Sequence, residues 1–199
     1  MRRGVLFWLL ALLVCFLPSP AEAAGAFPRT VRDARGTILT LHSAPRRIVS
    51  LAPGTTEMLF ALGLGARVVG DTTYCDYPPA ARAKAKIGDV NANYEKILAI
   101  RPDLIVASDA NKTAAMRLTS LRLPVLNIAP TSFGAVEQSL RLLGRATGTE
   151  HQAAVVIAQM EHKRKLAAAL AARDAGHKPR VLIVVGVAPL WVAGTQTFM

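Results

Sequence analysis

Short continuous apolar runs alternate with longer amphipathic ones over most of this chain. The runs Arg47-Ile48-Val49-Ser50-Leu51, Arg67-Val68-Val69-Gly70, Asp103-Leu104-Ile105-Val106-Ala107 and Pro124-Val125-Leu126-Asn127-Ile128 lack polar alternation, as strands do when both their faces are covered. Helical segments are predicted between them. Pro53-Gly54-Thr55-Thr56 reads as a turn in which a Thr hydroxyl caps a helix, Glu57 suits its first turn, and Gly63 ends it after Leu62. Asn93 to Ile100 and Thr113 to Leu121 read as helices. Ser132 to Thr147 is amphipathic, with Val136, Leu140 and Leu143 at helical spacing, and Gly148 closes it. Asp71 to Pro79 reads as a loop. Strands that alternate with helices predict an α/β fold with a parallel sheet covered on both sides.

Two further segments frame this unit. Residues 27–42 read as a leading hairpin, Thr30-Val31-Arg32 against Thr37 to Leu41, with Gly36 at the turn. Thr149 is expected to cap a run of about 25 residues without Pro, near 40 Å long at 1.5 Å per residue, which reads as a bridge between two α/β units. Beyond Gly176, Arg180 to Val185 and Leu190 to Ala193 read as the first strands of a second unit. The expected organisation is a lobe over 27–148, a bridging helix over 149–176, and over 177–199 the start of a second lobe that is incomplete here.

Fifty-two per cent of the 199 residues are hydrophobic, ample for a packed core and against a disordered tail protein. Not all of that belongs to the fold. Arg2 and Arg3, the apolar run Val5 to Leu17, the Pro18-Ser19-Pro20 break and Ala21-Glu22-Ala23 compose a signal peptide over residues 1–23. The run falls short of the roughly 20 apolar residues of a membrane span. Val14 stands where a lipidated cysteine at 15 would want a small residue, which argues against a lipoprotein anchor. Cleavage would leave Cys75 as the single cysteine, a buried thiol or an odd exposed one.

Charge first suggests nucleic acid: 24 Lys and Arg face 13 Asp and Glu, a net +11. The basic residues are scattered, however. Their densest groups (Arg82, Lys84, Lys86; Lys163, Arg164, Lys165) carry no interleaved aromatics, so no nucleic-acid partner is expected. The charge reads as solvated surface, suited to an anionic membrane face.

In open α/β sheets ligands sit outside the carboxyl ends of the strands. Pro53-Gly54-Thr55, Asp71 to Asp76, Ser108 to Asn111 and Ala129-Pro130-Thr131 fall there. Tyr74 reads either as ordinary loop packing or as a ring for a flat apolar ligand. Glu95 reads either as a first-turn acid that suits the helix dipole or as a docking charge for an Arg on a partner. Gly63-Leu64-Gly65-Ala66 follows a helix rather than a strand, so it is a stop and turn and not a dinucleotide loop. His42, His151, His162 and His177 do not pair at helical spacing, and no metal site is expected. The acids Glu57, Asp71, Asp76 and Asp89 are dispersed, and no nucleophile–base string occurs, so neither catalytic residues nor a cofactor is expected.

RRIVSLAPGTTEMLFALGLGARVVGDTTYCDYPP (46–79), IGDVNANYEKILAIRPDLIVAS (87–108) and LPVLNIAPTSF (123–133) resemble the periplasmic substrate-binding proteins of vitamin B12 and iron-chelate ABC importers. The resemblance begins near residue 29, in TVRDARGTILTLHSAPRRIVSLAP, and continues through VLIVVGVAPLWVAGTQTF. It implies two Rossmann-like lobes with parallel sheets joined by one rigid helix, a small-molecule ligand held between them, and delivery by a monomer to an inner-membrane permease. It carries the docking role to Glu95, in NYEKILAIRPDL. TTYCDYPP and SLAPGTTE look most like cobalamin binders, in which the Tyr matching Tyr74 packs on the corrin; Trp191 falls where the second lobe presents an aromatic. The implied ligand contacts are Pro53, Gly54, Thr55, Tyr74, Asp89, Val90, Ser108, Asp109 and Trp191. Asp89 and Ser108 depart from the large aromatic that corrinoid binders can carry there. Haem and siderophore carriers are the alternatives. The first usually supply a Tyr or His ligand, a part open to Tyr74. The second use basic cleft residues, of which only Lys112 is present in these loops.

Overall fold

The computed structural model describes residues 26–89, 91–173, 176 and 180–194. The signal-peptide reading lies on residues outside that set. The described chain opens with the expected hairpin, β1 (Arg29–Arg32) antiparallel to β2 (Ile38–Leu41). Gly36 supplies the left-handed residue of its turn, φ +82°. Asp33 organises that turn. Its Oδ1 accepts from the backbone N–H groups of Arg35 (2.9 Å) and Thr37 (2.8 Å).

The main sheet contains β3 (Ile48–Ser50), β4 (Val68–Asp71), β5 (Ala85–Lys86), β6 (Leu104–Ser108) and β7 (Val125–Ile128). All are parallel, in the order β5-β4-β3-β6-β7. The connecting helices are α1 (Pro53–Ala61), α2 (Tyr94–Ile100), α3 (Lys112–Ser120) and α4 (Phe133–Thr147). The continuous apolar strands divide their side chains between two cores. Ile48, Leu104, Val106, Leu126 and Ile128 pack with Leu59 of α1 and Leu140 and Leu143 of α4. Val49, Ile105, Ala107 and Val125 pack on the other face with Ile97 of α2 and Ala115 and Leu118 of α3. Both strand faces are therefore dry, which is why alternation is missing from the sequence.

The helix ends follow local chemistry. Ser132 accepts from the Ala135 N–H at the start of α4, and Gly148 (φ +78°) closes it. A single 3₁₀ turn at Pro79–Ala83 and the strand β5 follow the expected loop. A two-residue edge strand gives no periodic signal of its own.

The long helix α5 runs Glu150–Arg173, about 36 Å at 1.5 Å per residue. Ala153 and Ile157 bury it against α4. Gly144 of α4 permits close approach, since a Cβ there would lie 3.0 Å from that of Ala153. From His162 onward the helix is exposed, including Leu166 and Leu170. It starts at Glu150, as a cap at Thr149 implies, with the Ala153 N–H donating to the Thr149 carbonyl at 3.0 Å and the Thr149 hydroxyl pairing with that of Thr147 at 2.9 Å. The strand expected over 180–185 is displaced: β8 (Val184–Val187) pairs antiparallel with β9 (Leu190–Val192) in a separate two-stranded sheet. Among the described residues no helix is long and apolar enough to cross a membrane.

Candidate ligand-binding rim

A parallel sheet places the carboxyl ends of all its strands at one edge. Here the strand order reverses between β3 and β6, from which the chain proceeds outward in opposite directions. The crevice of such a sheet opens at that point. Pro53-Gly54-Thr55 follows β3, and Ser108-Asp109 ends β6 and opens the next turn. These residues therefore flank the switch point from its two sides.

Pro53 takes the first position of α1, where a missing N–H has no consequence. The expected Thr cap is not made; Ala52 stands at the cap position without a side-chain bond. The Thr56 hydroxyl turns instead into a buried junction. It lies 2.8 Å from Ser50 Oγ and 3.2 Å from both the Ala52 carbonyl and Cys75 Sγ. The Thr72 hydroxyl also meets Cys75 Sγ at 3.2 Å. Cys75 is thus the buried thiol of the two readings, and it ties the Tyr74 loop to β3 and α1. With no cap, the Gly54 and Thr55 N–H groups have no intrahelical acceptor. The Thr55 hydroxyl is buried and has no hydrogen-bond partner.

Tyr74 is exposed on a loop pinned by the Thr73 N–H to the Gly88 carbonyl (2.9 Å). Beneath the loop, Asp71 is fully buried at the end of β4 and accepts from Lys86 Nζ at 2.7 Å. The same ammonium donates to the carbonyls of Cys75 (3.0 Å) and Ala81 (3.2 Å). Burial pushes the Asp71 carboxyl above the ordinary carboxylate range, and Lys86 opposes that rise.

After β5 the chain turns at Gly88, φ +122°, where a Cβ would lie 2.3 Å from the Asn91 carbonyl oxygen. Asp89 is exposed and its Oδ1 accepts from the Asn91 N–H at 2.7 Å. Val90 lies outside the described residues. The Ser108 hydroxyl donates to Asn111 Oδ1 at 3.1 Å, and Asp109 is exposed.

Asn93 caps α2 by accepting from the Lys96 N–H at 2.9 Å. Glu95 is exposed in the first turn of that helix and has no hydrogen bond or ion pair to a described residue. Since α2 runs back from the carboxyl edge, its first turn lies at the same edge as the rim. Trp191 is exposed on β9, in the separate sheet, and strand pairing does not join it to the rim. The structure therefore gathers Pro53, Gly54, Thr55, Tyr74, Asp89, Ser108 and Asp109 on one edge with Glu95. The Ser50–Thr56–Cys75 junction and the Asp71–Lys86 pair carry no sequence signal, because their partners come from separate elements. Among the described residues no group of three or more His, Cys, Asp or Glu is placed to hold a metal ion.

The family model described as periplasmic binding protein matches residues 48–199. An uncharacterized ABC transporter substrate-binding lipoprotein, YvrC of Bacillus subtilis, is 36% identical over 70% of this chain and 46% of its own length. A cobalamin-binding protein of Halobacterium salinarum is 30% identical over 90% of this chain and 49% of its own. The chain thus spans about half the length of these relatives. Among solved structures, the apo periplasmic heme-binding protein RhuT from Roseiflexus sp. RS-1 superposes with a TM-score of 0.68. It is 31% identical and covers 76% of this chain and 60% of that one. The matched span includes the whole five-stranded sheet, its rim and the long helix, and this chain belongs to the periplasmic binding protein family.

Proposed function

We propose that this chain is the exported solute-binding component of an ABC importer. It captures a corrinoid, cobalamin first, between the described lobe and a second one, and it docks on the membrane permease through Glu95. The observation that carries this reading is the switch-point rim. There the uncapped start of α1 and the Ser108–Asp109 turn follow the two adjacent strands at which the order reverses, and Tyr74 is exposed on the loop after β4. Such a rim offers a few polar contacts and one aromatic face, which suits a large, flat, mostly apolar ligand. Among the described residues the acids are dispersed and Cys75 is buried, an arrangement that suits capture of a ligand. The cobalamin-binding name of the Halobacterium relative supports the corrinoid. Cleavage after Ala23, export to the periplasm and action as a monomer are part of the proposal. A lipid anchor is the variant that the YvrC name favours.

A second reading keeps the same class and changes the ligand to haem or a ferric siderophore. It is favoured by the RhuT likeness and by the exposed Tyr74 phenol, which is open to an iron. The two are separated by titrating the protein with cyanocobalamin, hemin and a ferric catecholate. Once residues 1–23 are removed, Trp191 is the single tryptophan of this sequence, and its emission, corrected for absorption by the ligand, is the readout. Saturable quenching by micromolar cyanocobalamin, weakened at least tenfold in Tyr74→Ala, is expected. Saturation by hemin or the chelate alone would replace the first reading by the second, and no saturation by any of the three would overturn both.

A further inference from the structure

We propose that the groove between the leading hairpin and α4 binds a phosphate group. This site is separate from the rim and does not depend on the ligand proposed for it.

The groove is a depression of about 280 Å³. Arg32 of β1 enters it from one side, and Arg141 and Arg145 of α4 from the other. Positions 141 and 145 are one helical turn apart, so the two guanidinium groups lie on one face, where like charges repel unless an anion sits between them. No ion pair relieves them. Glu150, the nearest acid beyond α4, is already taken by Arg29. Arg32 makes a single long bond to the Gly36 carbonyl (3.4 Å). Glu137, one turn before Arg141, forms no ion pair with it and only feels its charge at a distance.

The one acid in the lining is Asp33, and neither of its oxygens is free to pair with an arginine. It is buried, with Oδ1 filled by the Arg35 and Thr37 N–H groups and Oδ2 by the Asn127 side-chain amide (2.6 Å) and backbone N–H (3.2 Å). Three cations thus line a space whose one carboxylate has both oxygens engaged by other donors. The exposed Gln138 amide has no partner among the described residues and adds a neutral donor. Ile128 and Leu142 form a buried apolar floor, which keeps water from one side and strengthens charge interactions above it.

Arginine forks match the paired oxygens of a phosphate better than they match a halide. A space of this volume takes a phosphate group with part of whatever carries it. The net charge of +11, which the rim does not use, acquires a local role at this groove.

The test uses the full chain. Thermal unfolding and calorimetric titration are run with inorganic phosphate against sodium chloride at equal ionic strength. Flotation is run with phosphatidylglycerol and with phosphatidylcholine vesicles. Arg141→Gln/Arg145→Gln is compared with Lys163→Gln/Lys165→Gln, which removes the same charge from the exposed face of α5, after circular dichroism establishes that both fold. Millimolar phosphate is expected to raise the unfolding midpoint where chloride does not. The effect should fall at least tenfold in the α4 double variant and stay within twofold in the α5 one. Flotation with phosphatidylglycerol that phosphate competes away, and that the α4 variant loses, identifies a lipid headgroup as the source. Phosphate binding without flotation identifies a soluble phosphate. Equal effects of phosphate and chloride, or equal losses in both double variants, overturn the proposal.

Discussion

Gly54 and Gly88 stand beside the same rim, and the fold asks different things of them. Gly88 has φ +122°, and a Cβ would meet the Asn91 carbonyl oxygen at 2.3 Å. Gly88→Ala is therefore expected to cost more than about 2 kcal/mol, read from urea unfolding, because it adds both backbone strain and a clash with main chain. A Cβ on Gly54 meets nothing within 4 Å. Its local surroundings allow alanine, and the N-terminal turn of α1 gains up to about 1 kcal/mol of helix propensity from it. Gly54→Ala is expected to leave the protein as stable or slightly more so while weakening ligand binding in the Trp191 titration. Unchanged affinity would remove Gly54 from the contact surface. Asp71 sets a pH dependence. Burial raises its folded-state pKa above the unfolded value, so the folded form holds more protons just above the ordinary carboxylate range. Stability contributed by this group is therefore full at lower pH and is lost as pH rises through that window. Urea midpoints followed from pH 4 to pH 8 are expected to fall less in Asp71→Asn than in the unaltered protein.

Elements are joined here by a few polar bonds as well as by the cores. The hairpin is fixed to β7 through Asp33 and Asn127, with the Ala34 N–H donating to the Asn127 carbonyl at 3.0 Å. Removing the Asp33 carboxylate leaves a buried amide and several backbone N–H groups without an acceptor. Asp33→Ala is expected to cost about 2–4 kcal/mol in urea unfolding, more than an exposed acid on the same hairpin would. The sequence displayed the hairpin itself through the Gly36 turn, and displayed α4 through Ser132, Leu140, Leu143 and Gly148, because those signals are local. It did not display the bond between them and the sheet. Asp33 looks like any turn aspartate, and its second oxygen is used by a residue far along the chain. The Thr cap expected for α1 failed for the same reason: the Thr56 hydroxyl found partners on Ser50, in the preceding strand, and on Cys75, which no window around the helix contains.

For the whole molecule, the proposed docking on a permease puts its test on Glu95, the exposed acid at the rim's edge. Glu95 has no hydrogen bond or ion pair to a described residue to keep it in place. Glu95→Arg is expected to leave ligand titration within twofold while abolishing uptake in a transport assay; loss of both would make it part of the fold or the ligand site. Which strands have two dry faces, where the hairpin turns, where α4 begins and ends, and that a long helix follows were all determined by the sequence, since hydrophobic period and terminal residues report local burial and backbone geometry. The order β5-β4-β3-β6-β7, the edge strand Ala85–Lys86, and the placing of Pro53–Thr55 and Ser108–Asp109 on the two sides of the reversal were decided only in three dimensions. Continuous apolar strands are nearly interchangeable as patterns. Their neighbours are chosen by packing between distant segments, and the rim exists only once that choice has been made.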